Sequence, residues 1–277
     1  MPGLNNWLKL YHDKSRVLCS LDFSSLEILS KDECIDYNIQ MITTRYDNLY
    51  VSLSGGIDSE FVANSLLSRG IKFTPVIVDY VGNSAEVWYA YLWCRENNIT
   101  PFVINLKPPV AAKTFSYFAR KYSTSFVSSL DFVINELIDG HLLNGCAEPF
   151  EREFCNDDKL LNTTSDTLSL LSYDYGLDLA FPERHPGSFF TYTPNLLYHM
   201  VSNLDYTKPV QIAMSEYYGV RPRPKISAFM NTGIMREAAD SINTTVPLHI
   251  IKLGKKEQFL ETARNKGIIT YSYIHNK

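Results

Sequence analysis

The sequence lacks any run of eighteen apolar residues, so no membrane-spanning helix is expected. Residues 1–6 carry no basic stretch leading into an apolar one, so a secretory leader is not expected either. Cysteine is scarce. Cys19, Cys34, Cys94, Cys146 and Cys155 are odd in number and include no Cys-x-x-Cys pair, which argues against a disulfide framework and a zinc ribbon. Reduced, partly buried thiols in a cytoplasmic protein are the expectation. The histidines at 12, 141, 185, 199, 249 and 275 show no metal-ligand spacing. Positive charge is not in excess: the formal net charge of -4 argues against a protein built mainly to neutralise nucleic-acid phosphates, although it is compatible with a local basic patch. There is no internal repeat, no low-complexity tract, no Walker A loop ending in Gly-Lys-Ser/Thr and no G-x-G-x-x-G.

What is present is an ordinary globular composition, 45% hydrophobic and 20% charged, which suits one sizeable α/β unit with appended parts. Residues 1–45 are mixed, with a helix entry at 22–27 and a short helix at 32–43, and read as an N-terminal extension. Order then sharpens. Short apolar stretches at 49–53, 73–79, 101–106 and 141–144 read as strands. Between them, helical spacing appears at 60–67, 85–97 and 126–138, with Gly70 as a C-cap and Ser84 as an N-cap. Strands alternating with helices predict a parallel sheet with right-handed crossovers, whose ligands sit at the C-terminal strand ends. Those ends carry Ser54, Gly55 and Gly56, then Asp79, then Asn144 and Gly145. Beyond about 155 the pattern loosens. Helices are expected at 157–175, 193–203, 226–241 and 254–266, with an aromatic, Pro-rich loop at 181–192. The domain reading is therefore an extension at 1–45, an α/β unit at 46–155 and a helical substrate or lid region at 156–277.

The most informative segment is Ser54, Gly55, Gly56, Ile57, Asp58, Ser59, set between a strand and a helix. Two glycines let the backbone turn sharply and approach an anion closely. The amides that follow open a helix, where partial positive charge favours phosphate. The hydroxyls of Ser54 and Ser59 add donors. Asp58 either orients the loop or meets a magnesium ion. Five fixed residues of this kind arise by chance roughly once in a few thousand chains of this length.

In this setting, residues 47–148 resemble the PP-loop ATP pyrophosphatases. These include asparagine synthetases, NAD and GMP synthetases, argininosuccinate synthetase, tRNA-thiolating enzymes and phosphoadenylyl sulfate reductases. The resemblance implies a doubly wound parallel sheet of the HUP/PP-loop type, cleavage of ATP to AMP and pyrophosphate, and Mg2+. It assigns nucleotide binding to Ser52, Ser54, Gly55, Gly56, Asp58, Ser59, Val78, Asp79 and Gly145, with Val78 and Asp79 meeting the adenosine largely through backbone groups. Asn144, Gly145, Cys146, Ala147 and Glu148 stand where the family carries a Gly-rich turn and an acidic residue, which makes Asp58 and Glu148 the candidate metal ligands. A weaker likeness to the tail of asparagine synthetases runs through Gly233, Arg236 and Glu237 to Lys252, Lys255 and Lys256. Residue 2 is Pro2 and not a nucleophilic cysteine, so an amide former of this kind would take ammonia or an amine from elsewhere, for example from another protein.

Several residues keep two readings. Arg221, Arg223 and Lys225 form the densest basic cluster and either hold phosphates or a carboxylate, or lie on a solvated, Pro-stiffened loop. A site exposed at the strand ends needs cover from water, which residues 181–225 are placed to provide, with Asp58, Arg223 and Lys225 as catalytic candidates. Cys146 is either a sulfur carrier or a small packed residue. Phe189, Phe190, Tyr217 and Tyr218 either wall a pocket or fill the core, and Trp88, Tyr89, Tyr91 and Trp93 are expected to pack. The function that follows is adenylation of a small-molecule carboxylate for attack by ammonia or an amine. The alternatives are a sulfur-transferring or nucleotide-modifying enzyme and a nucleotide-binding module without turnover.

Overall fold

The computed structural model describes residues 8–13, 16–21, 26–80, 83–107, 129–145, 186–205, 207–208, 210–223 and 248–253, with isolated positions between them. Two sheets are present. In the first, β1 (Leu8–Asp13) and β2 (Arg16–Leu21) form an antiparallel hairpin, and β8 (Leu248–Leu253) runs parallel to β2. The helix entry expected at 22–27 is not found at Leu26 and Glu27, which have no regular structure. The hairpin of the N-terminal extension thus pairs with a strand from the far end of the chain.

Helix α1 (Lys31–Arg45) follows. Its start is fixed by a capping box: the Ser30 Oγ accepts from the Glu33 amide at 3.4 Å while the Glu33 carboxylate accepts from the Ser30 amide at 2.8 Å. Cys34, Ile35, Ile39 and Ile42 give it one buried face. Asn38 on that face donates to the Phe189 carbonyl at 2.7 Å, which ties α1 to a segment far along the chain.

The second sheet contains β3 (Leu49–Ser52), β4 (Thr74–Tyr80), β5 (Phe102–Leu106), β6 (His141–Asn144) and β7 (Gly187–Ser188). They lie in the order β5-β4-β3-β6-β7, and every neighbouring pair is parallel. Four of the strands lie where the hydrophobic pattern puts them. The fifth, β7, comes from the segment expected to be a loop.

Helices α2 (Ile57–Leu67) and α3 (Ser84–Glu96) cover one face. There Leu53 and Ile77 pack with Ala63, Val87, Ala90 and Trp93. Helix α4 (Ser129–Leu137) covers the other face, towards which Ser52 points by strand alternation. The arrangement is a doubly wound α/β sheet. The chain leaves β3 for β4 and β5 on one side and returns to β6 on the other, so the strand order reverses between β3 and β6. A crevice opens at such a reversal, outside the carboxyl ends of the strands.

Past β7, a short 3-10 turn (Phe189–Thr191) leads into α5 (Pro194–Asn203) and α6 (Val210–Tyr218). Helix α5 begins with Thr193 as N-cap and Pro194 in its first turn, both good starters. Helix α6 was not expected from the sequence. Phe189, Phe190, Tyr192, Leu196, Met200, Met214 and Tyr218 join α1 and α2 in one core. Trp93 is buried as expected, but Trp88 is 57% exposed, because its place on α3 turns it from the sheet. The helices expected at 157–175, 226–241 and 254–266 lie outside the described residues. No helix among the described residues is long and apolar enough to cross a membrane.

Candidate active site

The reversal point is built from the turn after β3 and the end of β6. Gly55 has φ +89°, a conformation that favours glycine. A Cβ there would overlap the Glu86 carbonyl oxygen and lie 2.8 Å from the Glu86 carbonyl carbon, so the first turn of α3 presses directly on the loop. Gly56 is different. Its φ of -74° suits any residue, and a Cβ would meet only the Ser54 Oγ, at 3.4 Å. Gly145 at the end of β6 lies against the loop from the other side, where a Cβ would sit 3.1 Å from the backbone of Asp58 and Ser59.

Gly56 is also the N-cap of α2 and has no side chain with which to cap the first amides of this helix. Around them the Ser54 and Ser59 hydroxyls lie 3.2 Å apart, the Gly56 amide points to the Ser54 Oγ at 3.3 Å, and the Ser59 hydroxyl donates to the Gly56 carbonyl at 3.0 Å. Ser54 is exposed and Ser59 buried, so the pair runs from solvent into the helix start. Two hydroxyls, a glycine amide and a helix N-terminus with glycine at its cap make a cradle suited to an anion.

The other expected site residues fall into three groups. Ser52 faces away from the cradle, donating at 2.9 Å to the buried Asp131 carboxylate of α4. At the end of β4, the Asp79 carboxylate accepts from the Tyr91 hydroxyl at 3.1 Å. The Val78 carbonyl accepts from the Asn83 side chain at 2.8 Å, and the Tyr80 amide donates to the Asn83 Oδ1 at 3.0 Å. Asn83 thus closes the turn after β4 instead of capping α3, which starts one residue before the expected position. Glu148, Cys146, Cys155, Lys225, Gly233, Arg236, Glu237, Lys255 and Lys256 lie outside the described residues. Lys252 is on β8, in the other sheet.

The C-terminal end of α6 crosses the cradle. The Tyr218 hydroxyl donates to the Asp58 carboxylate at 2.8 Å, with its ring stacked on Phe61 at 4.5 Å between centroids. Past Gly219, the exposed Arg221 points no contact at the loop among the described residues, whereas Arg223 bonds the Gly55 carbonyl at 2.6 Å and pairs with Glu60. The Glu60 carboxyl is held above its ordinary range because burial disfavours its charge, and the Arg223 charge offsets this only in part. Glu60, Asp131 and Asn83 were not singled out from the sequence, and Tyr218 was singled out only as a pocket-wall or core residue. Asp131 had a signal there, as an acid set between Leu130 and Phe132 in an apolar helix. Replacing Tyr218 with phenylalanine keeps the ring stack and removes the hydroxyl's bond to Asp58, together with its weak 4.0 Å contact to the Met200 sulfur. A loss of about 1.5 kcal/mol in urea unfolding is expected, the lower end for a hydrogen bond to a charged group because Asp58 is partly exposed.

Among the described residues, no three His, Cys, Asp or Glu side chains cluster as a ready-made metal site. Cys34 and Cys94 are buried, and burial pushes both thiols up to about 11, which makes them poor nucleophiles.

No protein-family model matches the chain, and no curated protein matches it. Among solved structures, it is similar to a predicted subunit of tRNA methyltransferase from Methanocaldococcus jannaschii, with 15% identity over 63% of this chain and 89% of that one and a TM-score of 0.33. It is similar to NMN synthetase from Francisella tularensis, with 13% identity over 88% and 99% of the two chains and a TM-score of 0.34. It is also similar to the NH3-dependent NAD synthetase from Campylobacter jejuni, with 15% identity over 76% and 91% and a TM-score of 0.33. At those scores the likenesses add nothing to what the strand order itself shows.

Proposed function

We propose that this chain is an adenylating enzyme of the PP-loop ATP pyrophosphatase kind. It would bind ATP with Mg2+ and transfer the adenylyl group to an oxygen of a small-molecule carboxylate, releasing pyrophosphate. The observation that carries this reading is the glycine-capped start of α2, with Ser54, Gly56 and Ser59 around it, at the reversal between β3 and β6.

The cradle fits a pyrophosphate group in shape and in polarity. The Ser54 and Ser59 hydroxyls and the amides at the start of α2 would hold the β- and γ-phosphates. A substrate oxygen would then attack the α-phosphate in line with the departing pyrophosphate. Positioning and charge stabilisation would do most of the catalysis. Magnesium commonly uses one or two carboxylates together with phosphate oxygens, so Asp58, with Glu148 as the candidate second ligand, would be a sufficient protein contribution. The ion would neutralise charge on the phosphates. Lys225, two residues past Arg223 in the sequence, is the candidate cation for the leaving pyrophosphate, and the strap that brings Tyr218 and Arg223 to the loop would keep water from the adenylate.

We favour amide formation as the second half-reaction, with ammonia or an amine supplied by another protein. Sulfur transfer finds no support in Cys34 and Cys94, which are buried and protonated. The test is incubation with ATP, Mg2+, ammonia and a panel of carboxylates, with nucleotides separated by chromatography. AMP and pyrophosphate are expected, whereas ADP and phosphate would overturn the reading.

A further inference from the structure

The peptide between Gly55 and Gly56 is the weak point of the cradle. Glycine on both sides leaves it little steric resistance to rotation about its flanking dihedrals. In a trans peptide the carbonyl and the amide point in opposite directions. With the Gly55 carbonyl turned away, the Gly56 amide faces the Ser54 Oγ, as observed at 3.3 Å. Turned over, the same peptide would aim a carbonyl oxygen at the two serine hydroxyls. An acceptor would then face the position where an anion must bind.

Arg223 holds the carbonyl on the outer side. Its Nη1 donates to the Gly55 carbonyl at 2.6 Å. Its Nη2 donates to the Glu60 carboxylate, one turn into α2. The guanidinium lies 4.4 Å from the centroid of the Tyr89 ring of α3. The Arg223 and Glu60 side chains are each only 15% exposed. A planar guanidinium with fixed donor directions suits this task, because one group reaches a carbonyl and a carboxylate while its face lies on a ring. A cation so engaged is directed at the protein's own backbone and away from the cradle.

We propose that Arg223 is a positioning residue that locks the Gly55–Gly56 peptide with its amide facing the anion, held in place by Glu60 and Tyr89. This rests on the reading of the loop as a phosphate site. It assigns Arg223 a role different from that of a cation that touches the leaving pyrophosphate.

The experiment compares wild type with Arg223→Ala, Arg223→Lys and Glu60→Gln. Pyrophosphate and ATP binding are measured by calorimetry at several salt concentrations, and the Gly56 amide is followed by NMR in glycine-labelled protein without ligand. Arg223→Ala should bind both ligands about 10- to 100-fold more weakly, the scale of one hydrogen bond involving a charged group. The loss should be similar at low and high salt. The unliganded Gly56 amide should shift or broaden, and added guanidinium ion should restore pyrophosphate binding where methylammonium does not. Glu60→Gln leaves the bond to Gly55 and should show a smaller change in the same direction, which provides the reading if Arg223→Ala does not fold. Wild-type affinity in Arg223→Ala, or full affinity in Arg223→Lys with a loss in Arg223→Ala confined to low salt, would overturn the lock. A wild-type protein that binds neither ligand would instead sink the phosphate-site reading and the lock with it.

Discussion

Replacing Gly55 with alanine should lower the melting temperature sharply, while the same change at Gly56 should leave it nearly unchanged and abolish pyrophosphate binding. The two glycines are neighbours, yet different forces keep them. At Gly55 the backbone has φ +89°, and a side chain held there costs about 1–3 kcal/mol. The added carbon would also overlap the Glu86 carbonyl oxygen, with the Ala90 amide nitrogen 3.3 Å away, so α3 must shift. Forcing an extra carbon into packed surroundings costs a further 1–3 kcal/mol or so. For a chain of this size the sum corresponds to a fall on the order of 10 °C. At Gly56, φ is -74° and the one neighbour of a new methyl is the Ser54 Oγ at 3.4 Å, an ordinary contact. Alanine is a poorer N-cap than glycine, a cost below about 1 kcal/mol. Its methyl would, however, stand beside the Ser54 hydroxyl, where the ligand's oxygens must come. Paired melts and pyrophosphate calorimetry separate the two effects. A Gly56→Ala protein that binds pyrophosphate normally would show that the loop does not approach an anion closely.

That distinction marks how far the sequence could be read. The strands β3, β4, β5 and β6 were legible because each is a short apolar stretch bounded by turn residues, a local signal. The cradle was legible for the same reason, since turn, hydroxyls and helix start lie within six consecutive residues. What separates Gly55 from Gly56 is the approach of α3, which no local pattern encodes. Strand β7 is two residues in a Pro- and aromatic-rich stretch, and it exists because β6 offers it an edge. The hairpin at 8–21 had a partial signal in the alternation of Leu8, Lys9 and Leu10, but its partner β8 comes from the other end of the chain. Tyr218 and Arg223 reach the loop from 160 and 168 residues along the chain, a closure that depends on the packing of α5 and α6. Ser84 reads as the helix cap in the sequence, whereas in the structure the cap position falls to Asn83, whose side chain is held by the end of β4.

Phe190→Ala should cost the protein about 3–5 kcal/mol, the range for removing a fully buried phenylalanine ring. The residue is 0% exposed and touches three rings at once. Phe61 of α2 lies stacked at 5.6 Å, Phe189 edge-on at 5.7 Å and Tyr218 tilted at 5.4 Å. These rings belong to α2, to the 3-10 turn after β7 and to the end of α6, the three segments that meet behind the cradle. Alanine would leave a cavity bounded by three elements that cannot all close on it, since α2 is fixed by the sheet and the turn by Asn38. Phe190→Leu should lose less, because most of the volume stays. Urea unfolding should show a lower midpoint with an unchanged slope for both variants. Pyrophosphate affinity, measured well below the midpoint, should stay close to wild type in Phe190→Leu, because the cradle is set by the pairing of β3 with β4 and β6 and not by this ring. The opposite pattern, full stability with lost binding, would mean that Phe190 lines a ligand pocket instead of filling the core.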